Sequence, residues 1–250
     1  KNPTSLMFAD AFKTDVYAVF GGIDYNLTQD LKLSAALRYD REERDVSSRV
    51  PNVLDPATGG PINPGLPAEG SIPDASNSYD EWQPKISLVR AVNDVWNIYG
   101  NWGVGFKAGG FNSQGSAAVL EDNFNATLGS GLDITDQYDK ETSSSFELGA
   151  KGSLADGKLS LEVAAFHTEV TDMQFFEFFT GGFGLLRVVS NIDEVEISGI
   201  EATFNAIVSD SWTVFGSTAI NESEINKNSA RRNTEGNSSP YTPDYTLNLG

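Results

Sequence analysis

Residues 96–112, WNIYGNWGVGFKAGGFN, constrain the fold more than any other stretch of this chain. Taken alternately, they separate into two unlike faces. Trp96, Ile98, Trp102, Val104 and Phe106 share one face, interrupted only by Gly100, while Asn97, Tyr99, Asn101, Gly103, Gly105 and Lys107 share the other. Successive side chains of a strand point to opposite sides of a sheet, so one side is apolar and the other polar. Aromatics at both ends of the apolar side, with aliphatics between them, form the pattern of a strand facing lipid. Gly109 and Gly110 then mark the start of a loop.

The same alternation recurs along the chain. Residues 15–25 place Tyr17, Val19, Ile23 and Tyr25 on one face, and the polar turn 26–30 leads into residues 31–40. There Leu31, Leu33, Ala35, Leu37 and Tyr39 alternate with Lys32, Ser34, Ala36, Arg38 and Asp40, which matches the strand period and not the helix period. Residues 50–78 are rich in Pro, Gly, Asn and Asp and read as a loop far longer than an ordinary β connection. A third strand is expected over 81–91, with Trp82, Pro84, Ile86 and Leu88 on one side and Pro84 tolerated near its start. A tight turn at Asn93-Asp94 precedes the fourth strand, and after Phe111 a long polar segment reaches to Glu141. The fifth strand, 143–152, turns at the hairpin dipeptide Asp156-Gly157 into a sixth, from Leu159 to about Val170. Residues 173–183 hold five phenylalanines and read as a loop. Strands over 196–208 and 212–221 flank a short turn at 209–211, a polar loop covers 221–240, and 241–250 begins a ninth strand.

Short turns near residues 28, 93, 156 and 210 thus alternate with long connections. All short turns then lie at one rim of the sheet and all long loops at the other, the asymmetry of outer-membrane barrels. The expected architecture is all-β: an antiparallel up-and-down transmembrane β-barrel, of which this chain supplies about nine strands.

Composition narrows the function. The formal charge of −18 argues against nucleic acid, because phosphate binding needs concentrated Lys and Arg. No cysteine and a single histidine, His167, leave no thiol chemistry and no zinc set, so no cofactor is expected. No run of 18 apolar residues exists for a spanning helix, which says nothing against spanning strands of about 10 alternating residues. The opening Lys1-Asn2-Pro3 is no signal peptide and suggests the interior of a longer chain.

Four stretches together carry a family resemblance. YGNWGVGFKAGGFN, residues 99–112, resembles the "YasvsrGFKsGGFN" stretch of TonB-dependent outer-membrane receptors. Phe146-Glu147-Leu148-Gly149-Ala150-Lys151, the stretch 159–174 ending Thr171-Asp172-Met173-Gln174, and Ile197-Ser198-Gly199-Ile200-Glu201, similar to the family's "xxGvE" strand, follow in the family's order. Pro240-Tyr241-Thr242-Pro243-Asp244-Tyr245 also fits. The resemblance implies a bacterial outer-membrane active importer of an iron–siderophore complex or similar scarce nutrient, without catalysis. It implies outer-membrane lipid, the nutrient and TonB as partners, with TonB reached through an N-terminal region not found in residues 1–250. In that family a barrel of 22 strands surrounds a plug. Residues 1–250 are therefore expected to be barrel alone, lacking the plug and the final strands, and inactive in isolation.

Several residues are candidates for ligand contact. Lys107 starts a long loop on the inward side, where it could meet an anionic chelate, or be merely a solvated lumen lysine or a partner for plug carboxylates. Phe111 and Asn112 could belong to the external vestibule by resemblance, or merely close a loop. Arg38 and Tyr99 point inward, where polar residues also serve solvation alone. Phe175 and Phe176, with Phe178, Phe179 and Phe183, could capture an aromatic or apolar ligand, or else extend the aromatic girdle or pack beneath neighbouring loops. The acidic run Asp133, Asp136, Asp139 and Glu141 lacks the spacing and glycine of an EF-hand, so no metal site is assigned. Gly103-x-Gly105-x-x-Ala108 matches a dinucleotide fingerprint only formally, since no helix signal follows. A passive porin or adhesin of the same topology remains an alternative. A soluble β-enzyme using Glu147, Glu162 or Glu201 would need carboxylates converging from separate hairpins.

Overall fold

A computed structural model of the chain describes residues 8–50, 54, 59–62 and 72–250, so part of the long connection expected over 50–78 lies outside the described residues. Eleven strands follow in order: β1 Asp10–Asn26, β2 Leu31–Ser48, β3 Ala75–Ala91, β4 Trp96–Lys107, β5 Gly110–Phe111, β6 Gln137–Tyr138, β7 Glu141–Leu154, β8 Leu159–Gly181, β9 Gly184–Ser209, β10 Trp212–Lys227 and β11 Tyr245–Leu249. Nine of them form one antiparallel meander in the order β1-β2-β3-β4-β7-β8-β9-β10-β11, and β5 with β6 makes a separate two-stranded ladder. The sheet is open, with β1 and β11 at its two ends.

The alternation read from sequence holds in register across the sheet. Ile86 faces Trp102, Trp102 faces Phe146, Phe146 faces His167 and His167 faces Ser198. Val19, Ile23, Trp82, Leu148, Ile200 and Ile220 on this side are all exposed, which in water would be an aggregating surface and in a bilayer is the lipid face. Tyr39 and Trp82 pack with ring centroids 4.8 Å apart at its outer border. The register also gives the strand tilt. The row through Ile220, at the upper end of the apolar run on β10, leads by way of Ile200, Ala165, Leu148, Gly100, Leu88 and Leu33 to Tyr25, at the lower end of that run on β1. From Tyr25 up to Tyr17, where the β1 run ends, is roughly 27 Å of strand, against roughly 34 Å across the sheet. The strands therefore lean by about 40° from the barrel axis, as closure of a large barrel requires.

Short turns join the strands at one rim. Ala155, Asp156 and Gly157 all adopt positive φ (52°, 55° and 84°), the mirror-image geometry whose twist suits a hairpin. At the next turn the Asn93 side-chain oxygen accepts from the N–H groups of Val95 and Trp96, both at 2.9 Å.

The other rim differs from expectation. Strands run well past the lipid face: β1 starts at Asp10, β2 reaches Ser48, β3 starts at Ala75 and β10 reaches Lys227. The phenylalanine-rich segment is not a loop; it is the upper arm of β8, paired with β9 from Met173↔Ile192 to Gly181↔Gly184 and closed by a two-residue turn. Residues 116–128 are helical rather than irregular, and the last strand begins at Tyr245 instead of Tyr241, whose φ is 61°. Beyond the bilayer both faces of a strand are wet, so hydrophobic alternation stops while the hydrogen-bonded ladder continues.

Candidate functional site

The described burial lies mainly at the outer rim, where loops fold back on the extended strands. One cluster joins Val119 and Leu120 of the helical segment to Phe183, Leu186 and Val188 of the β8–β9 hairpin, with Phe124 and Phe179 packed against it. A second joins Val170, Val195 and Ile225 to Ile192, with Met173 and Phe175 alongside. Asp172, at φ 55°, separates Val170 from Met173 and Phe175, and this residue re-aims the hairpin so that residues from both sides of it share one cluster. The phenylalanines therefore divide. Phe179 and Phe183 fill packing beneath the loops, whereas Phe175 and Phe176 stay close to open space.

Two hollows result. The first, ≈ 310 Å³, is walled by the aromatic rings of Phe8, Phe12, Phe111 and Tyr138, with Arg187, Asn112 and Ser113 among its polar members. Arg187 lies with its guanidinium carbon 5.7 Å from the ring centre of Phe176. Phe111, Asn112 and Phe176, three residues singled out from sequence, are thus brought together through Arg187. Sequence reading missed Arg187 because it sits where alternation has already faded. Asn112 itself is buried and spends its amide on main chain: Nδ2 donates to the carbonyls of Thr135 (2.9 Å) and Val189 (2.8 Å), and its oxygen accepts Val189 N–H (2.7 Å). Its place is in the wall, holding the cleft's floor to β9.

The second hollow, ≈ 240 Å³, lies between the hairpin and residues 228–240. Phe175, Ile134, Ile192 and Ile225 line it, together with Asp133 and the ion pair of Arg231 with Glu177, in which both guanidinium Nη groups donate to the carboxylate. Phe176 stacks on Tyr241, centroids 5.4 Å apart, and Tyr241 also meets Phe175 at 5.9 Å.

The other candidates lie elsewhere. Arg38 and Tyr99 belong to the lumen wall at membrane depth. Arg38 grips Asp40 through Nε (2.5 Å) and Nη2 (2.6 Å), and Gln83 donates to the same carboxylate. Tyr99 is buried on the sheet, its hydroxyl 3.2 Å from Glu162, with Lys151 over its ring and paired to Glu162 at 2.5 Å. Lys107 stands at the rim, 3.8 Å from Glu141, and remains exposed. In the acidic run, Asp136 accepts from the N–H groups of Gly115 and Ala117, both at 2.8 Å, and fixes the start of the helical segment.

His167 sits on the outward face at the aromatic border, Nδ1 2.8 Å from Ser198 Oγ and Nε2 3.6 Å from Glu169. The surrounding main chain belongs to the β7–β8–β9 ladder. His167, Ser198 and Glu169 form a polar cluster on the outward face of the sheet.

Residues 1–250 match the model of the TonB dependent receptor-like β-barrel family. Solved structures similar to the chain include the ferric yersiniabactin uptake receptor FyuA from Yersinia pestis (19% identity, TM-score 0.69, 95% of this chain and 31% of that one). The ferric-catecholate import receptor Fiu from Escherichia coli K12 in its closed form (19%, 0.65, 96% and 32%) and the siderophore receptor PiuA from Acinetobacter baumannii (18%, 0.66, 95% and 31%) are also similar. The chain spans about a third of the length of each of these receptors.

Proposed function

The chain belongs to the TonB-dependent receptor-like β-barrel family of the bacterial outer membrane, and from that membership we propose that it forms part of the wall of an energised importer for an iron–siderophore complex or similar scarce nutrient. The observation that carries this reading is the aromatic cleft around Arg187 at the long-loop rim. Large nutrients captured from dilute solution need flat apolar surfaces with few oriented donors, and a guanidinium braced by a phenylalanine ring supplies such donors at low entropic cost. Phe111 and Phe176 serve as stacking or bracing surfaces, and Arg187 donates to carbonyl or hydroxamate oxygens of the ligand. Phe175 contributes the neighbouring hollow. Lys107 and Asn112 shape the rim, while Arg38 and Tyr99 line the path below it and face the segment that closes the barrel.

Release into the periplasm would depend on work supplied through TonB, outside this part of the wall. The test is iron-limited growth and uptake of radiolabelled iron chelates by cells carrying the full-length receptor, with and without TonB. Uptake lost with TonB supports active import. Uptake that persists would assign the barrel to passive permeation.

A further inference from the structure

We infer that the outer vestibule of this receptor selects ligands of net charge zero or above and rejects polyanionic chelates; this rests on the importer reading above. The net charge of −18 falls chiefly on the long-loop side, because the opposite rim consists of four short turns. More telling is how the cations there are used. Arg41 sits on Glu43, Arg44 on Glu42, Lys140 on Glu81, Lys107 on Glu141, Lys227 on Asp193 and Arg231 on Glu177. These six positive charges are each matched by a neighbouring carboxylate in the wall, whereas Arg49, Arg187 and Arg232 form no salt bridge among the described residues.

The second hollow makes the point locally. Its guanidinium, Arg231, has both Nη groups turned to Glu177. The remaining charge in the lining is Asp133, for which no partner occurs among the described residues, so the hollow is net negative behind apolar walls of Phe175, Ile134, Ile192 and Ile225. The first hollow offers the lone guanidinium of Arg187, set against an aromatic face and not beside a second cation. A single donor group suits an uncharged oxygen; binding a threefold anion would need several cations together. Three negative charges held roughly 8 Å from one net carboxylate meet about a tenfold loss of affinity even with water-like screening. Additional carboxylates increase that loss, and salt reduces it.

The experiment compares two ferric chelates of similar size on the full-length receptor: an uncharged tris-hydroxamate and a trianionic tris-catecholate, each titrated at 50 and 200 mM salt. The expected result is at least tenfold tighter binding of the uncharged chelate, and trianion affinity that rises with salt. In Asp133→Lys the trianion should bind about three- to tenfold better, and no gain would overturn the part given to Asp133. Tighter binding of the trianion that weakens with salt would overturn the charge inference while leaving the importer reading intact. Binding of neither chelate would overturn the iron-carrier reading and this inference with it.

Discussion

The side-chain amide of Asn112 pairs with the main chain of Val189 as a neighbouring strand would, its oxygen taking the N–H at 2.7 Å and its Nδ2 giving to the carbonyl at 2.8 Å. It does so on the upper part of β9, above the last β10 pairing at Lys227↔Glu194. Asn112→Ala leaves two main-chain groups of Val189 and the carbonyl of Thr135 without their partner, a local cost of about 2–3 kcal/mol. Hydrogen exchange at the Val189 amide in the full-length receptor should accelerate by roughly tenfold or more. Unchanged protection would remove Asn112 from this role. Asn112→Asp should do no better, because a carboxylate then faces two carbonyls.

Breaking the Arg231–Glu177 pair should loosen residues 228–240. Glu177 is largely buried and Arg231 partly so, and the loss after allowance for solvent screening is about 1–2 kcal/mol. Proteolytic nicking within 228–240 should speed up in Glu177→Gln and in Arg231→Met. The double variant should cost less than the sum of the two, and strict additivity would mean the groups do not act together.

The Tyr99 ring lies on Gly149, where an added Cβ would come within 2.5 Å of the ring and hydroxyl. Gly149→Val therefore forces the ring off the sheet and breaks its contact with Glu162, at about 1–3 kcal/mol. The unfolding temperature of the folded barrel should fall. Tyr99→Phe, which keeps the ring, should cost about 1 kcal/mol or less. Equal losses in the two variants would show that the hydroxyl, not the fit over glycine, matters.

If the aromatic cleft holds ligand, Arg187→Gln and Phe111→Ala should each weaken binding of the uncharged ferric tris-hydroxamate by about tenfold. Lys107→Gln, altering an exposed side chain paired with Glu141, should change it by less than about twofold. The reverse order of effects in isothermal titration would move the site to the Lys107 rim.

Asp193 accepts the N–H of Ser229 at 2.6 Å, which holds its carboxyl below the usual carboxylate range; burial opposes this shift, and the Ser229 hydroxyl (3.0 Å) and Lys227 reinforce it. A depressed pKa means the carboxylate's contribution is complete above 3.8 and is lost as pH falls through and below that value. Exchange protection of residues 228–230 should be level from neutral pH down to about 5 and decline below about 4. In Asp193→Asn that decline should flatten. Asp10 works oppositely: burial, with the charge of Asp136, raises its pKa against the Gln114 N–H, so its ionisation weakens the fold as pH rises past 3.8.

Alternation and turn chemistry determined the membrane-spanning part by themselves. Where one face meets lipid and the other water, side-chain polarity must alternate, so residues 31–40 and 96–107 disclose both strand and orientation, and Asp156-Gly157 discloses the turn. Tertiary structure alone decided the outer rim. Strands there carry no lipid face and so no alternating signal, which is why the phenylalanines of β8 read as a loop. Arg187 gains meaning only from Phe176 across the β8–β9 hairpin, and Asp133 and Arg231 only from the hollow beneath residues 228–240. The pairing of Arg231 with Glu177, 54 residues away, is set by how the hairpin bends at Asp172 and where the loop returns. A one-dimensional pattern reports solvent on each side of a strand; it does not report which loops meet above the membrane.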